Sequence, residues 1–286
     1  MILIIGATGT VGSETVSRLS SLEIPVRALI HSPEKAVSIT SPGVETVVGD
    51  LDLPYTLEKA LDGITRAFLV SPLHQRQVEL QGNFIKAAQR AGNVHIVKLS
   101  GLDTSLDSPI LSGRWHAQIE KQLVDSGLSF TFLRPPFFMQ NFLSLAPSIS
   151  ENGFFGSCIK DGRVAMVDAR DVAAVAVVAL TKEDHRNKVY AITGPEALSH
   201  QDVAEEISRA TGKAVSYRIA SPESERKQLL KKGIPEWHVD LIVQFHTALS
   251  EGLASEVVDT VKTLTGKAPR SFAQFAREYS EVFRGS

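Results

Sequence analysis

Cysteine is almost absent from this chain of 286 residues, since Cys158 is its only one. A single thiol cannot form an internal disulfide or supply a cysteine-rich zinc or iron–sulfur site, so a reducing compartment is expected. Charge imbalance is also lacking, because 30 Lys and Arg residues against 32 Asp and Glu residues leave a formal net charge of -2. No global field draws the chain to nucleic acid or to an anionic membrane, and neither is an expected partner.

Long apolar runs and metal-binding motifs are scarce too. No stretch approaches the ~18 uncharged apolar residues of a membrane span, and the N-terminal apolar run lacks the basic segment and cleavage site of a secretory signal. His238 and His246 lie two turns apart on a predicted helix, and no H-x-x-x-H or H-E-x-x-H pattern occurs. We expect a cytoplasmic protein without a metal, which acts on a small molecule as a monomer or homodimer.

Short apolar runs rich in β-branched residues alternate with helical patterns through the first half of the chain. Strand and helix in alternation imply right-handed crossovers and a parallel sheet with helices on both faces. We predict an α/β fold with a Rossmann-type, doubly wound parallel sheet. The predicted strands of this half are Ile2–Ile5, Val26–Ile30, Glu45–Val48, Ala67–Val70, His95–Leu99 and Phe130–Leu133.

The second half departs from this regular alternation. Further strands are predicted at Val164–Val167 and Val189–Thr193, on either side of a helix, and the tail from Pro222 is mostly helical in its apolar spacing. We predict a nucleotide-binding core over residues 1–135. Residues 136–286 then hold the remaining core elements, within 164–193, and a smaller, mostly helical C-terminal lobe that binds substrate.

Three glycines follow the first predicted strand in "IIGATGTVG". A strand, a glycine-bearing turn and a helix are the context of a dinucleotide fingerprint, in which backbone N–H groups and the helix dipole hold a pyrophosphate. The spacing is G-x-x-G-x-x-G rather than G-x-G-x-x-G, and glycines that only punctuate a turn are the alternative. The expected phosphate-binding residues are Gly6, Thr8, Gly9, Thr10, Val11 and Gly12.

The end of the second predicted strand distinguishes the two nicotinamide dinucleotides. An NAD enzyme usually places Asp or Glu there to bind the adenosine ribose, whereas this chain has Ile30 and His31. Arg27, His31 and Lys35 can pair with a 2′-phosphate, so NADP is expected rather than NAD. The alternative is that Arg27 and Lys35 are solvated surface cations.

Several segments together resemble one family. The fingerprint "IIGATGTVG", the segments "GDLDLPYTLEKALDGI" and "FTFLRPPFFMQNF", the helix "VDARDVAAVAVVAL" and the later "ITGPEALSHQDVAEEISRATGKAVSY" resemble the NmrA-like group of atypical short-chain dehydrogenases/reductases. The order of these segments is also similar to that in NADPH-dependent quinone and triphenylmethane-dye reductases of the group. The resemblance implies the fold and NADP binding. It leaves the activity open, because the group includes enzymes, redox sensors and transcriptional co-regulators.

The resemblance also implies further cofactor contacts. Asp50 and Leu51, after the third strand, would lie against the adenine, although Asp50 can instead cap a helix that begins near Pro54. The remaining implied contacts are Ser71 and Pro72 near the ribose and pyrophosphate, and Pro135, Phe137 and Phe138 beside the nicotinamide.

The Tyr-x-x-x-Lys pair of most short-chain dehydrogenases is missing. Trp115 and His116 stand near the tyrosine position, while Ser100 matches the serine or threonine of the family. His116 is a candidate proton donor because an ordinary imidazole titrates near neutral pH, and a histidine merely packed on a helix face is the alternative. Ser100 is the second candidate catalytic residue.

Without that pair, two functions remain open. NADPH can pass hydride to a small conjugated acceptor such as a quinone, an imine or iminium compound or a dye, whose product needs no precisely placed acid. Alternatively, the chain binds NADP(H) and reports redox state to a partner without turnover. Aromatic and apolar residues downstream favour the enzyme, and the candidate pocket residues are Trp115, Met139, Phe154 and Trp237.

Overall fold

The structure is a computed structural model that describes residues 1–39 and 41–285. Two compact units are present. The first comprises residues 1–106, 114–134 and 170–191, and the second comprises residues 107–113, 135–169 and 192 onward. The chain therefore leaves the first unit briefly at residues 107–113 and again after Arg134, and then returns to it for one helix and one strand.

Nine strands lie in the described residues. They are β1 (Ile2–Ile4), β2 (Val26–Ile30), β3 (Val44–Val48), β4 (Arg66–Leu69), β5 (His95–Leu99), β6 (Phe130–Arg134), β7 (Phe154–Ser157), β8 (Lys188–Ala191) and β9 (Ser216–Ile219).

The helices of the described residues follow in chain order. They are α1 (Thr10–Ser21), α2 (Tyr55–Leu61), α3 (Gln77–Ala91), α4 (Leu111–Asp125), α5 (Ala146–Asn152), α6 (Ala169–Thr181), α7 (His200–Thr211), α8 (Pro222–Lys231), α9 (Glu236–Ser250), α10 (Thr260–Thr265), α11 (Phe272–Glu278) and α12 (Ser280–Arg284), with 3-10 helices at Pro33–Ser38 and Met139–Leu145.

The first unit is built on one parallel sheet whose seven strands, within the described residues, run in the order β3-β2-β1-β4-β5-β6-β8. Strand β1 pairs with both β2 and β4, so Leu3 is in register with Arg27 on one side and Ala67 on the other. The strand order reverses at this point, and open sheets of this kind bind ligands there, at the carboxyl ends of their strands. The predicted Rossmann-type sheet is confirmed.

The core of the first unit explains why these segments are strands. Leu3, Leu69 and Ile96 from the sheet are buried together with Phe84 of α3 and Ile119 of α4. Strands covered on both faces bury both sets of side chains, and β5 is accordingly buried along almost its whole length.

The second unit contains the paired strands β7 and β9 and most of the later helices. Its centre is aromatic: the ring of Phe142 meets those of Phe155 and Phe272 edge-on, at centroid distances of 5.6 and 5.2 Å. Ser199 begins α7 with a capping box to Asp202. The helical tail predicted beyond Pro222 is confirmed by α8 to α12.

One predicted strand is wrong. Val164–Val167 forms isolated bridges, Val164 with Leu198 and Val167 with Phe138, rather than a strand. The segment is fully buried and apolar, and a short continuous apolar run does not by itself distinguish a strand from other buried backbone. Strand β7, in contrast, lies in a segment for which no strand was predicted.

No helix in the described parts of the chain is both long enough and apolar enough to cross a bilayer.

Candidate functional site

Backbone approaches backbone very closely in the turn between β1 and α1. Gly6 has a φ of +70°, and a Cβ there would lie 2.7 Å from the carbonyl oxygen of Val70. A Cβ on Gly12 would lie 2.1 Å from the carbonyl oxygen of Gly6. Both contacts are too short for a side chain, so glycine is required at both positions.

The N-terminal turn of α1 has no side chain that caps its free N–H groups. Gly9 is the N-cap residue and has no side chain to cap the helix, and no acidic residue lies in the first turn. Thr8, Gly9 and Thr10 are exposed, whereas Val11 and Gly12 are buried. The positive end of the α1 dipole is therefore available to an anion, which backbone N–H groups can bind.

The carboxyl end of β2 carries an exposed imidazole beside a carboxylate. Nδ1 of His31 lies 3.3 Å from Oδ2 of Asp50, and the His31 side chain is 74% exposed. Oδ1 of Asp50 accepts a hydrogen bond from the N–H of Asp52 at 2.9 Å. Helix α2 has Pro54 as its N-cap and no side-chain cap, so the alternative role of Asp50 as a helix cap is wrong. Lys35 is exposed nearby in sequence, on the first 3-10 helix.

Arg27 is placed differently from the prediction. It lies in the amino-terminal half of β2, in register with Leu3, rather than at the carboxyl end of the strand. Its Nε donates to Glu45 at 3.1 Å, and its Nη1 donates to the carbonyl oxygens of Ala60 and Asp62 at 3.0 and 2.6 Å. The guanidinium thus binds the C-terminal end of α2, and the prediction that Arg27 binds a 2′-phosphate is wrong.

Ser71 follows β4 and is tied to α3. Its Oγ accepts a hydrogen bond from Nε2 of Gln81 at 2.8 Å, while Oε1 of Gln81 is buried without a partner among the described residues. Leu51 is fixed to the same helix, because its carbonyl oxygen accepts a hydrogen bond from Nδ2 of Asn83 at 2.9 Å. Pro72 is exposed. These contacts hold the loops after β3 and β4 against α3.

A buried polar network lies at the carboxyl end of β5. The side chain of Lys98 is 0% exposed, and its Nζ donates to Oγ of Ser100 at 2.8 Å and is 2.9 Å from Nδ1 of His116. The hydroxyl of Ser100 donates to Oε1 of Glu120 at 2.6 Å. Arg134, the last residue of β6, forms an ion pair with the same carboxylate, its Nε lying 3.1 Å from Oε1. One network therefore joins β5, α4 and β6.

The charges of this network alter two pKa values. Burial lowers the pKa of Lys98 to about 7, with Glu120 opposing the shift and Arg134 adding to it. Burial, then Lys98 and Arg134, hold the pKa of His116 well below its ordinary value. The expectation that His116 carries a proton that titrates near neutral pH is therefore wrong, because its imidazole is neutral there. Whether His116 and Ser100 act in catalysis remains a prediction.

Lys98 and Arg134 were not among the residues predicted from the sequence. The available signal was a lysine inside the apolar strand "HIVKL", in a sheet expected to be covered on both faces. A charged side chain at such a position must be buried and must therefore have partners.

The predicted pocket residues lie in different surroundings. Trp115, on α4, is half-buried. Met139 is only 1% exposed, so its side chain belongs to the core of the second unit rather than to a pocket wall. The ring of Phe154 is covered by the guanidinium of Arg218, whose Cζ lies 3.5 Å from the ring centroid. The half-buried ring of Trp237, on α9, stacks on that of the adjacent His238 at 5.1 Å.

The predicted nicotinamide contacts after β6 also differ from one another. The ring of Phe137 stacks on that of Phe245 at 6.2 Å and is buried, so it is part of the aromatic core. Pro135 is buried as well, while Phe138 remains half-buried. Of these three, Phe138 has the side chain most open to a ligand.

Sequence spacing gave no sign of a second polar cluster, which lies in the second unit. Ligand atoms of Cys158, Glu225 and His246 lie within 4.8 Å of one another. The carboxylate of Glu225 is already bound at both oxygens, by Nδ1 of His246 at 2.8 Å and by the N–H of Cys158 at 2.7 Å. Burial and then Glu225 raise the pKa of the Cys158 thiol to about 12. These internal hydrogen bonds account for the cluster, and the absence of a metal remains a prediction.

The residues around β1 fit a dinucleotide. The close approach of Gly12 to Gly6 leaves room for a pyrophosphate against the backbone, and the open end of α1 favours its negative charge. His31 and Lys35 are exposed groups that can pair with a phosphate.

Known proteins resemble the chain over its whole length. An NAD(P)H azoreductase of Xenophilus azovorans is 40% identical over 283 residues, which cover 99% of each protein. A crystal structure of the quinone oxidoreductase QOR2 of Escherichia coli in complex with NADPH is similar with a TM-score of 0.90 and 28% identity, over 97% of this chain and 99% of that one. A triphenylmethane reductase of Citrobacter sp. in complex with NADP(H) is similar with a TM-score of 0.88 and 26% identity, over 98% of this chain and 100% of that one.

A family model agrees with these similarities. The model of the NmrA-like family matches residues 1–272. The fold, the glycine-lined turn and this match lead to one conclusion: the chain belongs to the NmrA-like family.

Proposed function

We propose that the chain is an NADPH-dependent oxidoreductase that transfers hydride to a small conjugated or aromatic acceptor of the quinone, imine or dye type. The observation that carries the proposal is the full-length identity of 40% to an NAD(P)H azoreductase. The acceptors named for the relatives are azo compounds, quinones and triphenylmethane dyes, all of which are electron-poor conjugated systems. The missing Tyr-x-x-x-Lys pair agrees with such acceptors.

The protein residues would bind and orient the cofactor. Backbone N–H groups of the turn from Gly6 to Gly12 would hold the pyrophosphate, and His31 and Lys35 would pair with a 2′-phosphate. Ser71, Pro72 and Phe138 remain the predicted contacts of the ribose and the nicotinamide. When bound, NADPH supplies the hydride.

Turnover can be tested by following NADPH oxidation against quinones, azo dyes and cationic triphenylmethane dyes. We expect oxidation with at least one of these acceptors in the wild type. Tight NADPH binding without turnover on the whole panel would contradict the enzyme and support the alternative of a redox-sensing regulator.

Binding can be tested at the glycine turn. In Gly12→Ala the added methyl group collides with the carbonyl of Gly6, so we expect NADPH to bind at least ~100-fold more weakly by calorimetry. Ser13→Ala, an exposed change on the same helix, is the matched control and should bind as the wild type does. Equal affinity of the two variants, both folded by circular dichroism, would show that the turn does not hold the cofactor.

Cofactor preference can be tested with a pair of variants. His31→Asp places a negative charge where the 2′-phosphate is proposed to lie, so the preference for NADPH over NADH should fall at least ~10-fold. Arg27→Met removes a guanidinium that is bound elsewhere, so the preference should stay within ~3-fold. A wild type that prefers NADH would overturn the assignment of NADP.

Three further expectations complete the proposal, and the single buried cysteine supports the first of them and the balanced charge the last. The chain would act in the cytoplasm, as a monomer or homodimer, and without binding nucleic acid. Sedimentation of the purified chain would decide the oligomeric state.

A further inference from the structure

We propose that Lys98 and His116 form a proton relay, in which His116 protonates an acceptor that has taken up hydride and Lys98 supplies the proton through it. The inference rests on the proposed function. It also distinguishes two classes of acceptor, because some acceptors need a proton after taking up hydride and others do not.

The hydrogen bonds fix the direction of the relay. Nζ of Lys98 is 2.9 Å from Nδ1 of His116, and its other contacts are Oγ of Ser100 at 2.8 Å and the carbonyl oxygen of Leu99 at 3.3 Å. An ammonium group can only donate, so Nδ1 accepts and the neutral imidazole carries its hydrogen on Nε2.

The Nε2 edge of His116 is the side that the described hydrogen bonds leave available to a reactant, since they all lie at Nδ1. No described residue forms a hydrogen bond with Nε2, and a Cβ on Gly101 would lie only 3.3 Å from it. Glycine at 101 thus keeps this edge clear. Lys98 itself is 0% exposed and cannot meet a substrate, whereas His116 is half-buried at the carboxyl end of β5, where sheets of this type bind ligands.

The surrounding charges allow Lys98 to change its protonation state. The titratable and charged groups that face it are His116 and Glu120 from α4 and Arg134 from β6. Glu120 keeps two partners of its own, the hydroxyl of Ser100 and the guanidinium of Arg134, when Lys98 is neutral. The pKa of Lys98, lowered to about 7, means that the ammonium and the amine are both populated near neutral pH.

The proton balance follows from the acceptor. A quinone or azo compound that gains a hydride becomes an anion on oxygen or nitrogen, and a new O–H or N–H bond forms as the Nε2–H bond of His116 breaks. Nδ1 then takes a proton from Lys98, which is left as an amine. Solvent restores Nε2–H, and Nδ1 returns its proton to Lys98. A cationic triphenylmethane dye becomes neutral on gaining hydride at carbon and needs no proton.

Activity on the two classes of acceptor tests the relay. Lys98→Met removes the proton source at similar volume, so we expect kcat on quinone or azo acceptors to fall at least ~10-fold and kcat on a cationic dye to stay within ~3-fold. His116→Gln should show the same selective loss. Lys121→Met, which changes an exposed lysine on α4, is the control and should affect neither class.

The pH dependence adds a readout that a structural role would not produce. With a quinone or azo acceptor, wild-type kcat should fall as pH rises through about 7, because the ammonium form is lost. The dye should lack this fall, and so should the residual activity of Lys98→Met. The relay would be overturned if Lys98→Met lost kcat equally on both classes of acceptor. It would also be overturned if the pH profile of kcat with a quinone were the same in Lys98→Met as in the wild type.

A measurement without turnover makes the relay testable even if a variant misfolds. Nitrogen NMR of wild-type His116 should show a neutral ring protonated on Nε2 from pH 6 to pH 8. A ring protonated on Nδ1, or an imidazolium at pH 7, would overturn the relay whatever the activity. A wild type that reduces neither class would instead contradict the proposed function.

Discussion

Each unit of the molecule buries a charged cluster, and the two clusters differ in how their bonds are arranged. In the first unit, Lys98 is linked through Ser100 to the Glu120–Arg134 ion pair and also contacts His116, whose second nitrogen has no partner among the described residues. In the second unit, the carboxylate of Glu225 binds His246 and the backbone of Cys158, so both of its oxygens are used.

This difference separates a cluster that can exchange a proton from one that stabilises. Two cations against one carboxylate leave the first cluster with an excess positive charge when Lys98 is protonated, and burial makes that proton easy to lose. In the second cluster the thiol is held protonated and the glutamate ionised. Burial raises the pKa of Glu225, but the hydrogen bond and charge of His246 together with the hydrogen bonds from Cys158 outweigh burial, so the pKa is lowered overall. The first cluster thus holds a buried cation whose charge is not fully balanced, whereas the carboxylate of the second cluster is bound by His246 and by the backbone of Cys158.

The largest expected effect is at the first cluster. Glu120→Gln removes the only carboxylate that faces Lys98 and Arg134 within the described residues, so we expect a loss of about 3–5 kcal/mol in the free energy of unfolding. Urea denaturation measures it. Glu79→Gln breaks an exposed pair with Arg76 and should destabilise the fold far less. Equal costs for the two variants would mean that the buried network contributes no more than a surface pair.

The free energy of unfolding at alkaline pH should reflect the lowered pKa of Lys98. Its pKa is about 7 in the folded chain against an ordinary 10.5, so the unfolded chain binds more protons between these values. Stability from this group therefore rises with pH over that range, by at most ~1.4 kcal/mol per pH unit. The rise should be lost in Lys98→Met and kept in Lys121→Met. If the free energy of unfolding changed with pH in the same way in the wild type and in Lys98→Met, the lysine would not be buried as described.

A substitution in the second cluster should change stability in a way that depends on acid pH. It should leave the preference among acceptors unchanged. Glu225→Gln weakens the bond to His246, and we expect a cost of about 1–3 kcal/mol at pH 7. Because the pKa of Glu225 is lowered below 4.5, its stabilisation is present above that value and is lost as pH falls through the folded-state pKa. The difference in the free energy of unfolding between Glu225→Gln and the wild type should therefore shrink at acid pH.

The exposed change Glu256→Gln serves as the control for Glu225→Gln. An altered ratio of quinone to dye turnover in Glu225→Gln, with no such alteration in the control, would break the distinction between the clusters.

The smallest expected effect concerns the thiol. Cys158 is 2% exposed and its pKa is raised to about 12, so little thiolate is present at pH 8. We expect the native chain to react with iodoacetamide at least ~10-fold more slowly than the urea-unfolded chain, by mass spectrometry. Equal rates would mean that the second cluster is open to solvent.

The sequence predicted the sheet because its signals are local. Apolar runs such as Val26–Ile30 and His95–Leu99 begin and end where the strands do, and the glycines at 6 and 12 were correctly expected to allow close approach. Arg27 was misassigned because position within a strand matters: four residues before His31, its side chain reaches the end of α2 instead of the ligand edge.

The polar clusters could not be predicted in the same way, because their members are distant in sequence. Glu225 meets Cys158 across 67 positions. His116 and Lys98 are closer, yet the low pKa of the imidazole depends first on burial and then on a lysine and an arginine from two other elements. Such shifts follow from burial and from the summed fields of neighbours, which only the tertiary structure provides.

The route of the chain through the two units limits how the protein can be shortened. A fragment that stops after Arg134 would omit β8, which pairs with β6 through Thr131, Phe132, Leu133 and Arg134. The last strand would then present bare N–H and C=O groups beside apolar side chains, a template for self-association. A minimal nucleotide-binding fragment must therefore retain residues 170–191. A designed linker would replace residues 135–169, which belong to the second unit.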